Sequence, residues 1–349
     1  MLTDIRLLSQ QLAQPVLSTP RELVSWMGAV QAQEYNMAKW AIGVRLKDTS
    51  LRDVEEAVRK GDILRTHIMR PTWHFVAAED IRWMLRLTGP RIKTSAASWG
   101  KALHLEITES LYTKCNKLIE KLLEGNQSLT KREIGEGLSK AGIETDDARM
   151  TILMMNAEAE GIVCNGTDAG KTPTYALLEE RVASGKELHR EEALAKLAQK
   201  YFRSHSPAGL QDFTWWSGQT ITDAKKAIGL IRSELIEERW EQHELFVHES
   251  YNGVAGTDDV LHFLPSYDEY LISYKERTTV IDEAHHRKAF NTFGIFYPVI
   301  LYNGKVVGNW KKLSKKNTIE VETSFFEKKT KIDKRLLAQA EEKYRNFML

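Results

Sequence analysis

Several classes of protein are excluded by what this sequence has little of. Its two cysteines, Cys115 and Cys164, are too few for a disulfide framework or a zinc knuckle, and they suit a reducing compartment. No uninterrupted apolar run approaches the ~20 residues that a membrane helix needs. The first residues, Met1-Leu2-Thr3-Asp4-Ile5-Arg6, lack the apolar core of a signal peptide. We therefore expect a cytosolic protein that does not enter a membrane.

An excess of charge of one sign is also absent. The 49 lysines and arginines against 48 aspartates and glutamates give a net charge of +1. A polyanionic partner is therefore neither required nor excluded, and a nucleic-acid surface would need an uneven distribution of cations. The length of 349 residues, 42% of them hydrophobic, suffices for two or three domains.

A helix, a tight turn, a second helix and a two-stranded wing are predicted in the middle of the chain. Thr130-Lys131-Arg132-Glu133 has the spacing of a capping box and opens the first helix. Thr145-Asp146-Asp147 opens the second helix, which Gly161 ends. Asn165-Gly166 is the turn signal between two short β-prone runs. This order is the winged helix-turn-helix pattern.

The same order is predicted from about residue 190 to 255. A helix from Glu191 to Phe202 is followed by Ser206-Pro207, which we interpret as an N-cap with proline at the first helical position. A further helix is expected to run from Thr222-Asp223 to about Glu238. Beyond it, Leu245-Phe246-Val247 is β-prone and suggests a wing.

The amino-terminal part resembles a looser third copy. Thr19-Pro20-Arg21-Glu22 is another capping box, and Ser50 caps a helix that stops before Gly61. The strand-like run from Ile63 to Val76 would be the wing of this copy.

From about residue 252 the sequence changes to short β-rich runs around the hairpin turn Asn303-Gly304, closed by a helix from Asp333 to Phe347. We interpret this part as a small barrel or sheet. The predicted fold class is helix-rich α+β, with three tandem winged helix-turn-helix domains on a carboxy-terminal β-barrel-like domain. The expected domains are 1–92, 93–185, 186–251 and 252–349.

Three short motifs have ordinary explanations. Gly170-Lys171-Thr172 looks like the end of a phosphate-binding loop, but the first glycine is misplaced and Pro173 follows where a helix should begin. His285-His286 lacks a third ligand at a metal-ligand spacing, so we expect no metal. Asp268-Glu269 could be paired acids, although we favour an N-cap followed by an exposed carboxylate.

Basic residues cluster beside aromatic residues in two places and along a hairpin in a third. Arg65, His67, Arg70 and His74 accompany Trp73, on a run that Pro71 excludes from a central strand position. Cationic and aromatic side chains of this kind can contact DNA phosphates and exposed bases. For the lysines on and beyond the hairpin, a surface that only faces solvent is an equally good explanation. The other two sets are Lys200, Arg203 and His205 beside Tyr201 and Phe202, and Lys305, Lys311, Lys312, Lys315 and Lys316.

Two amides follow the first amphipathic helix, in Gln31-Ala32-Gln33. Side chains two positions apart point about 200° away from each other in a helix but to the same side in extended chain. Convergence of the amides therefore requires non-helical backbone. From the residue types alone, we favour glutamines that end a helix and satisfy loop carbonyls. The alternative is that the two amides converge on one point.

Five segments together resemble one known family, the bacterial AlkZ-like winged-helix DNA glycosylases. The resemblance covers nearly the whole chain. A sister branch of that family carries aspartate at the second position of its Gln-x-Gln motif, where this chain has Gln33. The segments are Gln31-Ala32-Gln33, Arg65-Thr66-His67-Ile68-Met69-Arg70-Pro71-Thr72-Trp73-His74, Tyr201-Phe202-Arg203-Ser204-His205-Ser206-Pro207, Leu264-Pro265-Ser266-Tyr267-Asp268-Glu269-Tyr270 and Val306-Val307-Gly308-Asn309-Trp310.

The resemblance implies three winged-helix domains around a carboxy-terminal β-barrel, in a protein of the bacterial cytosol or nucleoid. It also implies hydrolytic excision of alkylated purines, including crosslinked ones, from double-stranded DNA, with Gln31 and Gln33 as catalytic residues and without a cofactor. No segment looks like a dimerisation helix, so a monomer is expected. The residues expected to contact DNA are Arg65, Thr66, His67, Arg70, Thr72, His74, Arg203, Ser204, His205, Lys311 and Lys312.

Two neutral amides suit that chemistry. An N7- or N3-alkylated purine already carries positive charge and leaves with little help from a general acid. What remains is to place water against the anomeric carbon, which a glutamine oxygen does by accepting a hydrogen bond from that water. Two alternatives stay open, namely a non-catalytic winged-helix regulator, which would recognise DNA sequence, and a small-molecule hydrolase that uses Asp268 or Glu269.

Overall fold

The computed structural model describes residues 2–170, 172–185, 187–240, 243–254, 256–315 and 318–349. Lys171 and Lys316, named above, lie outside these ranges. About half of the chain is helical and the strands form small sheets, which confirms the α+β class. Among the described residues, no helix is long and apolar enough to cross a membrane.

The chain divides into two compact units. The split unit combines Met1–Glu55 with Leu194–Leu349, and the inserted unit is Glu56–Ala193. The expected border at residue 92 falls within the helix Ala78–Ala102. The division into four domains stays a prediction. The two compact units are a different division of the chain, based only on how densely its parts contact each other.

The inserted unit contains the expected order of helix, helix and wing. The helix Lys131–Lys140 starts at the predicted capping box, and Asp147–Ala159 starts at Asp146. The strands Val163–Asn165 and Thr174–Leu177 pair antiparallel. The connection between them is longer than the two-residue turn that Asn165-Gly166 suggested.

Apolar side chains hold the helices of the inserted unit together. Ile119, Leu138 and Leu153 are almost completely buried in one cluster. Each such side chain contributes roughly 1.5–3 kcal/mol relative to an exposed one. The helix Ala78–Ala102 approaches the helix Asp147–Ala159 so closely that a Cβ at Gly89 would lie 2.5 Å from the carbonyl oxygen of Ala159.

The polar and aromatic segment forms a hairpin in the inserted unit. Ile63–Ile68 pairs antiparallel with Thr72–Ala77, as expected for the wing of the amino-terminal copy. Pro71 lies in the turn, where its missing N–H interrupts no ladder.

In the split unit, two local predictions between residues 206 and 240 are wrong. Ser206 does not cap the helix Leu210–Ser217, because Gly209 is the N-cap and Asp212 accepts its backbone N–H at 2.8 Å. The next helix, Ile221–Leu230, ends well before Glu238, because that part of the chain forms a strand. This strand, Leu235–Trp240, pairs with His243–His248 as the expected wing.

The carboxy-terminal strands form an open antiparallel sheet, so a barrel is not confirmed among the described residues. Asn303 and Gly304 form the predicted turn, with φ angles of 47° and 77°. The terminal helix Lys334–Met348 packs on the sheet, where the Tyr344 ring lies 4.9 Å from that of Trp310. The order of strands is Thr318–Phe325, Lys305–Lys315, Val299–Tyr302 and Leu261–Leu264.

The elements not yet listed are short, apart from the helices Glu109–Leu123 and Arg190–His205. The helices are Leu2–Ser9, Pro20–Met27, Tyr35–Gly43, Leu51–Lys60, Glu109–Leu123, Leu178–Arg181, Arg190–His205, Glu269–Ile272 and His286–Ala289, with 3-10 turns at Arg232–Glu234, Glu249–Tyr251 and Glu283–His285. The strands are Val30–Gln31 and Leu129–Thr130.

Candidate active site

The two glutamines lie on a loop between two helices of the split unit. The helix Pro20–Met27 ends at Gly28, whose φ of 77° favours glycine. The chain then extends through Val30–Gln31 before the helix Tyr35–Gly43 begins. The backbone between Gln31 and Gln33 is therefore non-helical, which is the condition that convergence of the two amides requires, and their roles stay a prediction.

Gln31 and Gln33 occupy different environments. Gln31 is 4% exposed, whereas Gln33 is exposed. The Oε1 of Gln31 accepts the backbone N–H of Gln33 at 2.6 Å, which closes the loop on itself. An amide oxygen has two lone pairs, so this bond leaves Gln31 a further acceptor position.

A buried carboxylate from a distant part of the chain holds this loop. The Oε1 of Glu269 accepts the backbone N–H of Gln31 at 2.5 Å, and its Oε2 accepts the hydroxyl of Ser273. Both oxygens act as acceptors, which is what an ionised carboxylate offers. Asp268 is the N-cap that the sequence predicted. Glu269 is only 1% exposed, so the expectation of an exposed carboxylate there is wrong.

A buried ion pair lies beside Glu269. Arg45 donates to the two carboxylate oxygens of Asp268 at 2.8 and 2.7 Å, and both side chains are 1% exposed. Burial alone would lower the pKa of Arg45, but Asp268, with Glu269 next to it, raises that pKa above its ordinary value. The guanidinium therefore stays charged and compensates the buried acids.

Gln10 connects the ion pair to the backbone of Glu269. Its Oε1 accepts from Arg45 at 2.8 Å. Its Nε2 lies 3.1 Å from the hydroxyl of Tyr274 and 3.4 Å from the carbonyl oxygen of Glu269. Buried polar groups are costly unless they are paired in this way.

Ser204 and His205 also lie inside the split unit, both fully buried. Ser204 donates to the carbonyl of Lys200 at 2.7 Å, so its oxygen accepts from the Nδ1 of His205 at 2.8 Å. The Nε2 of His205 is 3.7 Å from Glu269 Oε2, too far for a hydrogen bond. Burial lowers the pKa of His205, and Glu269 opposes this only in part, so the imidazole is neutral at pH 7.

The polar residues of the hairpin mostly point into the protein. Thr66, His67 and His74 are 0%, 6% and 1% exposed. His67 Nδ1 is bonded to the carboxylate of Glu158, and His74 Nδ1 donates to the carbonyl of Thr72 at 2.9 Å. In this conformation these side chains contact protein rather than solvent.

The remaining residues expected to contact DNA keep solvent-accessible surface. Arg203 is exposed, with its guanidinium 4.4 Å from the centre of the Trp26 ring. Lys311 is exposed and pairs with Glu322 at 2.9 Å. The partly buried ones are Arg65, Arg70, Thr72 and Lys312.

Sequence reasoning missed four residues of this interior, namely Gln10, Arg45, Ser273 and Tyr274. Arg45 had a local signal, because it stands alone between the apolar residues Val44 and Leu46. An arginine is almost never buried unless it is paired, so this position predicted an acidic partner. The partner itself had no local signal.

Comparison with known proteins identifies the family. The model of the family described as DNA glycosylase AlkZ-like matches residues 24–347. The chain belongs to this family. As an AlkZ-like protein it is a DNA glycosylase, a hydrolase of DNA repair, which confirms the resemblance noted from the motifs. The regulator and the small-molecule hydrolase are thereby set aside.

Two similar proteins come from Streptomyces sahachiroi. Its interstrand DNA cross-link repair glycosylase is 22% identical to the AlkZ-like chain over 303 residues, which are 83% of this chain and 81% of the relative. The solved structure of the S. sahachiroi DNA glycosylase AlkZ has a TM-score of 0.82 at 19% identity, covering 99% of this chain and 95% of that one. At this identity, the structural match supports a shared fold.

Proposed function

We propose that this AlkZ-like glycosylase excises N7- or N3-alkylated purines from double-stranded DNA, with Gln31 and Gln33 placing the attacking water. The observation that carries the proposal is the exposed amide of Gln33 on a loop that is bonded to buried Glu269. A loop held in this way presents a neutral acceptor at a defined position.

The two glutamines divide the work in this proposal. Gln33, the exposed member, accepts a hydrogen bond from water and presents its dipole to the sugar as positive charge develops there. Gln31 uses one lone pair to hold the Gln33 peptide and has the second for the same water. Neutral amides are weak bases, so the lesion must supply its own leaving-group charge, and ordinary purines should not be released.

Crosslinked purines are a second class of substrate in the proposal. The cross-link repair glycosylase of S. sahachiroi, named above, supports this. A base tethered to the opposite strand cannot swing into a closed pocket, and the exposure of Gln33 suits such a substrate.

The DNA-binding part of the proposal uses the repeated helix, helix and wing units as winged-helix modules. Among the expected DNA contacts, Arg203 and Lys311 are exposed cations and are assigned to phosphate. The buried residues Thr66, His67 and His74 are assigned to holding the hairpin that carries Arg65 and Arg70.

The test is release of N7-methylguanine from a duplex with one lesion, followed as strand cleavage at the resulting abasic site. Gln33→Ala should lower the single-turnover excision rate by about 100-fold because the water loses its acceptor. Gln31→Ala should lower it by a comparable factor, because the Gln33 peptide loses its acceptor and the water loses the second one. DNA affinity should stay within about twofold, since neither side chain carries a charge for phosphate.

The matched control is Gln339→Ala, which removes an exposed glutamine from the terminal helix and should leave the rate unchanged. Wild-type excision by the Gln31→Ala, Gln33→Ala double variant would contradict the assignment. Release of unmodified purines at a comparable rate would contradict the proposed substrate class.

A further inference from the structure

We propose that Glu269 is a positioning residue of the excision reaction: it fixes the peptide of Gln31 and, through it, the amide of Gln33, without touching DNA. The inference rests on the roles proposed above for the two glutamines. It gives a function to Glu269, one of the two adjacent acids, Asp268 and Glu269, whose roles the sequence did not decide.

Two consecutive hydrogen bonds connect the buried carboxylate to the exposed amide. Glu269 Oε1 accepts the Gln31 N–H at 2.5 Å, and Gln31 Oε1 accepts the Gln33 N–H at 2.6 Å. Ala32, between the glutamines, is fully buried. Gln33 is therefore held through its own backbone N–H and through the buried residue that precedes it. A displacement of about 1 Å at such a site costs about 100-fold in rate.

The acceptor is itself held in place. The Ser273 hydroxyl bonds to the second oxygen of Glu269, so donors on both sides set the rotation of the carboxylate. The preceding residue, Asp268, caps the short helix and is bonded twice to Arg45. Gln10 lies within 3.4 Å of the Glu269 carbonyl oxygen. Glu269 is thus fixed through its side chain and its backbone.

An acid suits this position better than an amide. A hydrogen bond to an ionised acceptor is shorter and stronger than one to a neutral acceptor. Both donors, the Gln31 N–H and the Ser273 hydroxyl, point at Glu269. Arg45 supplies the compensating positive charge close by. A glutamine at 269 would keep an oxygen for Gln31 but would require the Ser273 hydroxyl to turn and accept.

A buried negative charge could alternatively stabilise the oxocarbenium-like centre at a distance. The two roles predict different results for an isosteric amide. Positioning needs an acceptor, so Glu269→Gln should keep most of the rate. Stabilisation by charge needs the ion, so Glu269→Gln should fail as badly as Glu269→Ala.

The first measurement is single-turnover excision of N7-methylguanine from duplex DNA by the full chain. We expect Glu269→Ala to lose about 100-fold in rate, Glu269→Gln to stay within about fivefold of wild type, and DNA affinity to change by no more than about twofold in either. A wild-type rate in Glu269→Ala overturns the inference. Equal losses in the two variants overturn it in favour of stabilisation by charge.

Asp212→Ala is the matched control for loss of a buried acid. Asp212 is 4% exposed and accepts the backbone N–H groups of Gly209, Lys275 and Glu276 at 2.8, 2.8 and 3.0 Å. Its removal should destabilise the protein in a comparable way. The excision rate per folded molecule should nevertheless stay at the wild-type value, so an equal loss there would identify a merely structural effect.

The second measurement does not depend on activity. Amide hydrogen exchange of the free protein should be at least about tenfold faster at Gln31 in Glu269→Ala than in wild type, Glu269→Gln and Asp212→Ala. Unchanged exchange at Gln31 in Glu269→Ala overturns the inference whatever the lesion. If wild type fails to release N7-methylguanine but Glu269→Ala shows the faster exchange, the proposed substrate fails and the positioning of Gln31 stands.

Discussion

Each compact unit buries a histidine next to a glutamate, and the two glutamates have different partners. In the inserted unit, Glu158 is bonded directly to Nδ1 of His67. In the split unit, Oε2 of Glu269 lies 3.7 Å from Nε2 of His205. The two carboxylate oxygens of Glu269 accept hydrogen bonds from the Ser273 hydroxyl and from the backbone N–H of Gln31. Glu158 is bonded to a buried side chain, whereas Glu269 is bonded to a loop that carries an exposed amide.

The same residue types therefore serve different purposes in the two units. Burial does not distinguish them, because Glu158 and Glu269 are 0% and 1% exposed. The hydrogen-bond partner distinguishes them: a buried acid that accepts a backbone N–H from a loop with an exposed side chain places that loop. An acid that is bonded to a core side chain stabilises the core.

The largest expected effect concerns the ion pair between Arg45 and Asp268, beside Glu269. Arg45→Met leaves Asp268 charged and buried, so the free energy of unfolding in urea should fall by about 3–5 kcal/mol. Arg59→Met, which breaks an exposed pair with Glu56, should leave the urea midpoint unchanged. Similar midpoints for the two variants would contradict the importance of the buried pair.

A smaller loss of stability is expected at Glu158. Glu158→Ala leaves His67 without its buried partner and should lower the free energy of unfolding by about 1–3 kcal/mol, while Glu158→Gln should lower it less. The single-turnover excision rate per folded molecule, measured with the protein in saturating excess over DNA, should match wild type in both variants, because the hairpin that His67 holds is assigned to DNA binding. A loss of excision as large as that expected for Glu269→Ala would show that the two acids do not differ in function.

The smallest effect is an acid sensitivity of the split unit. Burial lowers the pKa of His262 to about 3, and it also lowers the pKa of His205. In the unfolded chain both histidines titrate near 6.5, so below that pH the unfolded state takes up protons that the folded state does not. Stability is therefore constant above about pH 7 and falls on acidification, by about 1.4 kcal/mol at pH 5.5 for His262.

Urea titrations at pH 7.5 and 5.5 measure this loss. His262→Gln should lose less stability between the two pH values than wild type does, because the titrating group is removed. A loss that stays the same in this variant would assign the acid sensitivity to other residues.

Features that depend on neighbouring residues were predictable from the sequence. The capping boxes at Thr19 and Thr130 and the turn at Asn303-Gly304 form as expected, since their hydrogen bonds or backbone angles involve residues only a few positions apart. The spacing of Gln31 and Gln33 stated only a condition, namely that convergence of their amides requires non-helical backbone, and the backbone there is non-helical.

Features that depend on distant residues were not predictable. The Gln31 to Glu269 bond joins residues 238 positions apart, and nothing near Glu269 indicates that its carboxylate is buried. The helix that ends at Leu230 was predicted too long because Leu235–Trp240 also suits a helix until it pairs with His243–His248. In both cases a tertiary partner decides the outcome.

The bond between Gln31 and Glu269 also sets an order of events during synthesis. At about 5–20 residues per second, the 238 positions between them take about 12–48 s to translate. The inserted unit, made within that interval, has its own core and can fold first. The loop of Gln31 and Gln33 obtains its acceptor only after Glu269 has left the ribosome, which is later than the point at which the inserted unit can fold.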